Sequence, residues 1–397
     1  MKIAHITTID MSLDYLLRNH LLDLQQRGHE IVGISAPGPY FPALEEAGIR
    51  YIPVAMTRRV TPLADLISLW QLYRVLKKEK FSLIHTHTPK ANLLAPLAGW
   101  LAGIPVRVST VHGLYCTPQT PQPQRFLLRL MEKLSAIATQ VSYQVNQEDV
   151  DSCTSLKITS KAKLLPGDGT GVNIAQFHPA KKTLVDKAAL RTELGLPPTG
   201  KVVGFVARLR EEKGILEFLQ AAKQIDEHVP DASFLIVGPI DHEKSDAITP
   251  DVAVEYGIAD KCYFAGNRTD LVELFSLMDL FVLPSHREGF PRTLMEAAAM
   301  GLPRVVTDVR GCRDAVENGR NGFVVPLGDV PALANAITTL LTDEQLAHRM
   351  GEAGRQMAVE QFDDRLVFDQ IHAEYERLCQ LKIKNYELRK VASATSS

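Results

Sequence analysis

Short runs of branched and aromatic apolar residues alternate along this chain with longer stretches in which apolar positions recur every three or four residues. In the first half the strand-like runs lie at 3–7, 31–35, 51–54, 83–87, 106–111 and 141–145, with helical periodicity at 13–27, closed by Gly28, and at about 62–78. The rhythm restarts with a strand at 202–207, a helix at 215–227 and further strands at 234–237, 262–265 and 280–283. Alternation of this kind predicts parallel sheets covered by helices, hence an α/β chain of two doubly wound, Rossmann-like domains, 1–180 and 181–362. The Gly-rich, charged stretch 166–200 reads as the linker. Ligands of such domains collect at the carboxyl ends of strands, here facing a cleft between the two. A last helix is expected at 363–381, before a tail, 382–397, whose polar end from 392 reads as disordered.

At 397 residues the chain exceeds one ordinary core and suits two domains. With 45% hydrophobic and 23% charged residues, no opening signal sequence and no apolar run of about 20 residues, it reads as a cytoplasmic protein. Cys116, Cys153, Cys262, Cys312 and Cys379 are scattered without zinc-type spacing, so neither a disulfide framework nor a structural metal is expected. The net charge of −2 conceals a division: residues 1–180 hold 18 Lys and Arg against 13 Asp and Glu, or +5, which leaves −7 for the rest. No acidic residue separates Glu79 from Glu132, an interval holding Lys90, Arg107, Arg125 and Arg129 and preceded by Arg74, Lys77 and Lys78. Such a surface favours an anionic partner.

The richest chemistry lies in Glu288-Gly-Phe-Pro-Arg-Thr-Leu-Met-Glu296, between the apolar run 280–283 and the run 297–300. The pattern is strand, loop, helix. Pro291 suits the first helical position, which would leave the NH groups of Arg292, Thr293 and Leu294 to face an anion such as a phosphate. Glu288 outside the helix and Glu296 about one turn inside would flank that anion, each able to accept bonds from sugar hydroxyls. Taken alone, the pair reads first as a capping carboxylate and a solvated helical residue.

A second signal follows the strand at 202–207: Arg208-Leu-Arg-Glu-Glu-Lys213-Gly214. Arg208 at the strand end and Lys213 in the loop would supply a fork and a point charge to a departing diphosphate, without a metal ion. By themselves they are ordinary surface cations. Together with Phe264-Ala265-Gly266, Leu283-Pro284-Ser285, Glu288-Gly289-Phe290-Pro291, Glu296-Ala297, Gly301-Leu302-Pro303, Gly311 and Asn321-Gly322, they resemble the retaining family 4 glycosyltransferases of the GT-B fold over nearly the whole chain.

That resemblance implies that Glu288 contacts donor-sugar hydroxyls, Glu296 the ribose, and Arg208 and Lys213 the pyrophosphate. The backbone of Gly289, Phe290, Pro291 and Arg292 would meet sugar and phosphates, and Gly266, Asn267 and Arg268 would lie near the base. It also implies that the last helix crosses back to the first domain and that no metal or other cofactor takes part. Where many members carry a Gly-Gly loop after the first strand, this chain has Thr7-Thr-Ile-Asp-Met-Ser12. That variant, with Arg27-Gly-His-Glu-Ile31, is similar to bacterial enzymes that act on lipid-linked precursors of surface polysaccharides or glycoproteins.

His112, at the end of the strand 106–111, matches a family position that contacts the donor sugar; its other reading is a hydrogen-bonded histidine under a loop. His85 and His87 share one face of a strand, but no third ligand is evident, and no metal is expected. The segment 117–124 reads as a Pro- and Gln-rich loop. The basic, apolar helix from Arg125 is either packed in the core or lies on an anionic membrane. The expected activity is transfer of a sugar from a UDP-sugar to a hydroxyl of a polyprenyl-linked glycan, with retention and without a protein nucleophile, at the inner face of the membrane. No nucleic acid partner is expected. The rivals are a nucleotide-sugar epimerase of the same fold and a non-catalytic sugar-nucleotide-binding protein; no Gly-x-Gly-x-x-Gly follows either opening strand, which excludes the usual dehydrogenase fingerprint.

Overall fold

Among the described residues thirteen strands form two sheets, and every pairing between neighbours is parallel. The computed structural model of the chain describes residues 1–59, 61–116, 120–165, 169–183, 185–241 and 246–394. The strands are β1 (Lys2–Ile9), β2 (Glu30–Ala36), β3 (Arg50–Pro53), β4 (Leu83–His87), β5 (Val106–Val111), β6 (Val141–Gln144), β7 (Ala162–Leu164), β8 (Val202–Val206), β9 (Ser233–Val237), β10 (Cys262–Gly266), β11 (Leu280–Leu283), β12 (Arg304–Thr307) and β13 (Gly322–Val325). Their orders are β3-β2-β1-β4-β5-β6-β7 and β10-β9-β8-β11-β12-β13. Strand order reverses at β1/β4 and again at β8/β11, and at such points the flanking loops diverge to leave a crevice. The inner strands β8, β9 and β11 are buried throughout, as parallel strands with helices on both faces must be, which explains their unbroken apolar runs.

The chain divides into two units, Met1–Thr170 with Leu366–Ser397, and Gly171–Arg365. The last helix, Asp364–Ala394, packs on the first unit. There Tyr375 bonds His85, Phe368 stacks on His20 at 4.9 Å, and Arg27 pairs with Asp369 at 2.5 Å. The helix continues through Ala394, so 392–394 are helical where disorder was expected; 395–397 lie outside the described residues.

Three strands and several helices escaped the sequence reading, among them Gln147–Ser155, Val330–Thr342 and Glu344–Met357. β7, β12 and β13 have only three or four residues each. β12 also opens on Arg304, which is fully buried and donates from its two Nη atoms to the carbonyls of Ala315 (2.9 Å) and Asn321 (3.4 Å), while its Nε has no partner in the described structure. The helix Pro89–Ala102 was masked by Pro96 in its interior. The stretch expected to be linker is mostly a built part of the second unit: Val172 bridges Asp363, and Leu190 of the helix Lys187–Glu193 packs with Leu196 and Leu277. Its Gly and charge content concealed these widely spaced anchors. Residues 117–119 of the expected loop and 166–168 of the expected linker lie outside the described residues. The first helix, expected as one piece, contains a π-helical stretch, Leu13–Leu17, between its two α segments.

Candidate functional site

The loops that leave β8 and β11 are locked together at Gly214. The single 3₁₀ turn Glu211–Lys213 ends there with φ +76°, a left-handed conformation, and a Cβ at this position would stand 2.0 Å from the carbonyl oxygen of Pro284. Only glycine meets both demands. Gly214→Ala is therefore expected to cost about 2–5 kcal/mol of stability, from left-handed strain plus the clash. An unchanged denaturant midpoint would overturn that account. The NH of His286 reaches back to the carbonyl of Glu212 at 2.9 Å, a second tie between the same loops.

This contact brings Lys213 and Glu288 together. Lys213 Nζ donates to Glu288 Oε1 at 2.7 Å, and Ser285 Oγ donates to the same oxygen at 2.7 Å. Both charged side chains are largely withdrawn from solvent, 15% and 10% exposed. Ser285 is buried, and its carbonyl accepts the hydroxyl of Thr307 at the end of β12. Gly311, at φ +75°, lets a third loop approach: a Cβ there would lie 2.2 Å from the carbonyl oxygen of Gly289.

Arg208 takes a different partner. Its Nη1 donates to Asp241 Oδ2 at 2.7 Å, beyond β9, and Glu212 stands 3.9 Å away. Arg210 braces the loop through Asp246 at 2.9 Å and Glu212 at 2.6 Å. Asp241, Ser285 and Thr307 are contributors that sequence reasoning missed. Ser285 was visible within the Leu-Pro-Ser run; nothing in the sequence links Asp241 to Arg208.

At the helix after β11 the structure corrects the expectation. Pro291 is the N-cap, extended at φ −72° and ψ 118°, and the helix Arg292–Ala299 begins after it. The NH of Leu294 donates to the carbonyl of Pro291 at 3.1 Å, so Leu294 drops out of the expected anion site. Glu296 is buried rather than solvated and accepts from Arg292 Nε at 3.0 Å. Burial pushes its carboxyl above the ordinary value, against the pull of Arg292. Phe290 packs edge to face with Phe362.

Gly266 ends β10 at φ +69°, with Asn267 exposed beside it. Arg268 is held by both oxygens of Asp270, at 2.7 and 2.5 Å, and by Glu193 at 2.6 Å. An aromatic base would have to share a guanidinium already engaged by two carboxylates.

His112 belongs to the first unit, just beyond β5. Its Nε2 meets His87 Nδ1 at 3.2 Å, and His87 Nε2 meets His5 Nδ1 at 3.1 Å. His85 is bonded to Tyr375 and, at 2.7 Å, to Thr110. Burial pushes His5, His85 and His87 well below the usual imidazole range and His112 down to about 4. A third imidazole thus stands beside His85 and His87, contrary to the sequence reading: ring nitrogens of His5, His85 and His87 lie within 4.8 Å of one another. Five of their six ring nitrogens are already hydrogen bonded, and only His5 Nε2 has no partner in the described structure. A metal ion would have to displace those bonds.

The unusual first loop is also organised. Asp10 Oδ2 accepts the NH groups of Tyr40 (2.8 Å) and Phe41 (3.2 Å), and Thr8 is bonded twice to Thr88 Oγ1. Side chains here supply the ordering that glycines leave to the backbone.

Two doubly wound parallel sheets, with the second carrying an Arg208–Lys213 loop against Glu288, define a glycosyltransferase of the GT-B fold. The chain belongs to the glycosyltransferases in both halves: residues 186–357 match the family Glycosyl transferases group 1, and residues 18–148 match a Glycosyl transferase 4-like domain. It is 29% identical over 372 residues, 91% of this chain and 93% of the other, to an Escherichia coli UDP-Gal:alpha-D-GlcNAc-diphosphoundecaprenol alpha-1,3-galactosyltransferase. It is 27% identical over 383 residues, 95% and 99% of the two chains, to the Campylobacter jejuni N,N'-diacetylbacillosaminyl-diphospho-undecaprenol alpha-1,3-N-acetylgalactosaminyltransferase. Among solved structures, Anabaena Alr3699/HepE in complex with UDP-glucose superposes with a TM-score of 0.81 at 22% identity, covering 95% of this chain and all of that one.

Proposed function

We propose that this chain moves a sugar from a UDP-sugar to a hydroxyl of a polyprenyl-diphosphate-linked glycan, with retention at the anomeric carbon. The observation that carries the reading is the pairing of Lys213 with Glu288, 75 residues apart, in loops at the carboxyl ends of β8 and β11. On donor entry Lys213 turns to the diphosphate, and the released Glu288 carboxylate accepts sugar hydroxyls. Arg208 adds a second cation to the diphosphate, Glu296 receives the ribose, and the Gly289–Arg292 backbone lies against sugar and phosphates. Gly266, Asn267 and Arg268 border the base, and His112 meets the sugar.

The bond from the anomeric carbon to the β-phosphate oxygen breaks, and the acceptor oxygen bonds to the same face. Its proton passes to the leaving phosphate oxygen, so the products are UDP and the glycoside. The protein positions the reactants and stabilises charge, with Arg208 and Lys213 in place of a metal. Glu288 and Glu296 are not an acid and base pair, because neither needs to carry a proton in this scheme. The donor class follows the UDP-Gal named for the Escherichia coli relative, and the acceptor class the undecaprenyl diphosphate named for both relatives.

The test incubates the protein with UDP-, GDP- and ADP-sugars, with and without a polyprenyl-linked glycan extract. Transfer from a UDP-sugar to the lipid fraction supports the reading. Epimerised donor, or transfer only to water-soluble acceptors, sinks it.

Attachment to the inner face of an anionic membrane completes the reading. Among the described residues no helix is long and apolar enough to cross a membrane. The helix Gln122–Ala138 instead exposes Phe126 (70%) and Ile137 (73%) beside Arg125, Arg129 and Lys133, and Glu132 is pushed up to about 7 by burial, which sheds negative charge. The helix Pro62–Glu79 exposes Leu63, Leu66, Ile67 and Trp70 ahead of Arg74, Lys77 and Lys78. Apolar side chains framed by cations suit an anionic bilayer, each cation contributing about 1 kcal/mol. Replacing Phe126 and Ile137 by Glu is expected to abolish co-sedimentation with phosphatidylglycerol vesicles; undiminished binding would exclude this helix as the contact.

A further inference from the structure

Three histidines of the first unit form a hydrogen-bonded row that runs from the sheet interior to His112. His5 in β1 and His85 in β4 are register partners, so His5, His85 and His87 share one face of the sheet. His5 and His87 lie nearly parallel, with 13° between their planes, and His87 and His112 are inclined by 28°. Hydrogen bonds of 3.1 and 3.2 Å join the three rings in the order His5, His87, His112. His85 stays outside the row, since its two nitrogens are taken by Tyr375 and Thr110.

We infer that His87, backed by His5, is a positioning residue for His112: it donates to His112 Nε2 and so places the His112 proton on Nδ1. A neutral imidazole has one NH and one lone pair, so a row of three admits only two consistent proton arrangements. In the first, His5 Nδ1–H donates to His87 Nε2, His87 Nδ1–H donates to His112 Nε2, and His112 points Nδ1–H outward. In the second every proton is reversed, and His5 Nε2 carries the last one. His5 is fully buried, and its Nε2 has no hydrogen-bond partner in the described structure. The second arrangement strands a buried NH, whereas the first leaves only a lone pair there; buried donors without partners are the rarer fault. Burial keeps all three rings neutral at pH 7 and removes the third option, a charged ring donating at both ends.

The row therefore acts through its direction. If His112 meets the donor sugar, as the proposed function holds, it offers a sugar oxygen an NH rather than a lone pair. The tautomer itself does not depend on that reading.

The full-length protein, labelled with ¹⁵N-histidine, is tested by long-range ¹H–¹⁵N correlation at pH 7.5, with His112 assigned by comparison with His112→Gln. The expected spectrum shows His112 protonated on Nδ1. His87→Phe, which fills the space but cannot donate, is expected to release His112 to the Nε2–H form and to lower kcat about tenfold, the equivalent of one hydrogen bond. His87→Gln, whose amide can donate to His112 Nε2, is expected to restore both. An Nε2–H signal from wild-type His112, or an unaltered tautomer in a folded His87→Phe, overturns the inference. Should His87→Phe not fold, the wild-type spectrum alone distinguishes the two proton arrangements. A tautomer that responds as expected while kcat does not supports the row and overturns the placement of His112 against the donor.

Discussion

Lys213→Ala is expected to lower kcat for transfer by about 10²- to 10³-fold, the loss seen when one preorganised charge-stabilising donor is removed. Lys213 is the cation that the fold brings nearest to Glu288, and its charge is needed most when the diphosphate departs. The substitution has a second effect, because it strips the counter-ion from a carboxylate that is only 10% exposed. The single variant should therefore melt earlier than the wild type, and Lys213→Ala/Glu288→Gln should regain part of that loss by removing the stranded charge. Activity separates the two effects: the double variant regains stability and remains inactive. Single-turnover kinetics with a UDP-sugar, alongside thermal melts, measure both. A Lys213→Ala enzyme with wild-type kcat would end the leaving-group assignment. Glu288→Gln alone, which keeps the geometry and removes the charge, is expected to weaken donor binding with the fold intact.

Acid should unfold the first unit well before general carboxylate protonation does. His5, His85 and His87 are held well below the ordinary imidazole value by burial, and His20 and His112 are lowered to about 4. Each is a base whose folded pKa lies under its unfolded one, so the unfolded chain binds the extra proton. Stability is complete above about pH 6.5 and falls as pH drops towards 4, each histidine contributing a slope of about 1.4 kcal/mol per pH unit once fully engaged. Thermal melts between pH 7.5 and 5 are expected to show a steep decline in the transition of the first unit. His20→Leu should flatten it, since His20 packs on the apolar ring of Phe368 and its Nε2 is buried without a partner in the described structure. A melting temperature independent of pH across that range would mean that the rings are open to water.

The two predictions draw on different kinds of information. Lys213 and Glu288 were singled out from local patterns, a cation before the helix-opening Gly214 and a carboxylate after Pro284-Ser285. The five-histidine cluster was not. His85 and His87 were legible as a pair because period-two alternation puts them on one face of a strand. His5 and His20 entered only when β1 paired with β4 and the helix Arg18–Gln26 covered the sheet. No rule of spacing links residue 5 to residue 87.

Elements were legible where periodicity was long or the apolar run unbroken, as in β4, β5, β11 and the helix Pro62–Glu79. The missed strands have three or four residues and carry a polar residue or glycine, as where buried Arg304 opens β12, and Pro96 interrupted one of the missed helices. The helix start was predicted one residue early because Pro291 can serve before a helix as well as within its first turn. The solvated reading of Glu296 failed for a tertiary reason, since its helix face turned inward.

By itself the sequence determined the class of architecture, the alternation that makes the sheets parallel, and the residue types of the donor loops. These are local properties, set by side-chain period and by which residues can hold a charge or a left-handed turn. Only the tertiary structure decided that Lys213 meets Glu288, that Arg208 leans on Asp241 instead, and that three imidazoles align behind one another as far as His112. Those partnerships depend on strand order and register, which bring together residues 25 to 82 positions apart. Their energies come from burial, which strengthens each charge and each hydrogen bond only once the fold has excluded water.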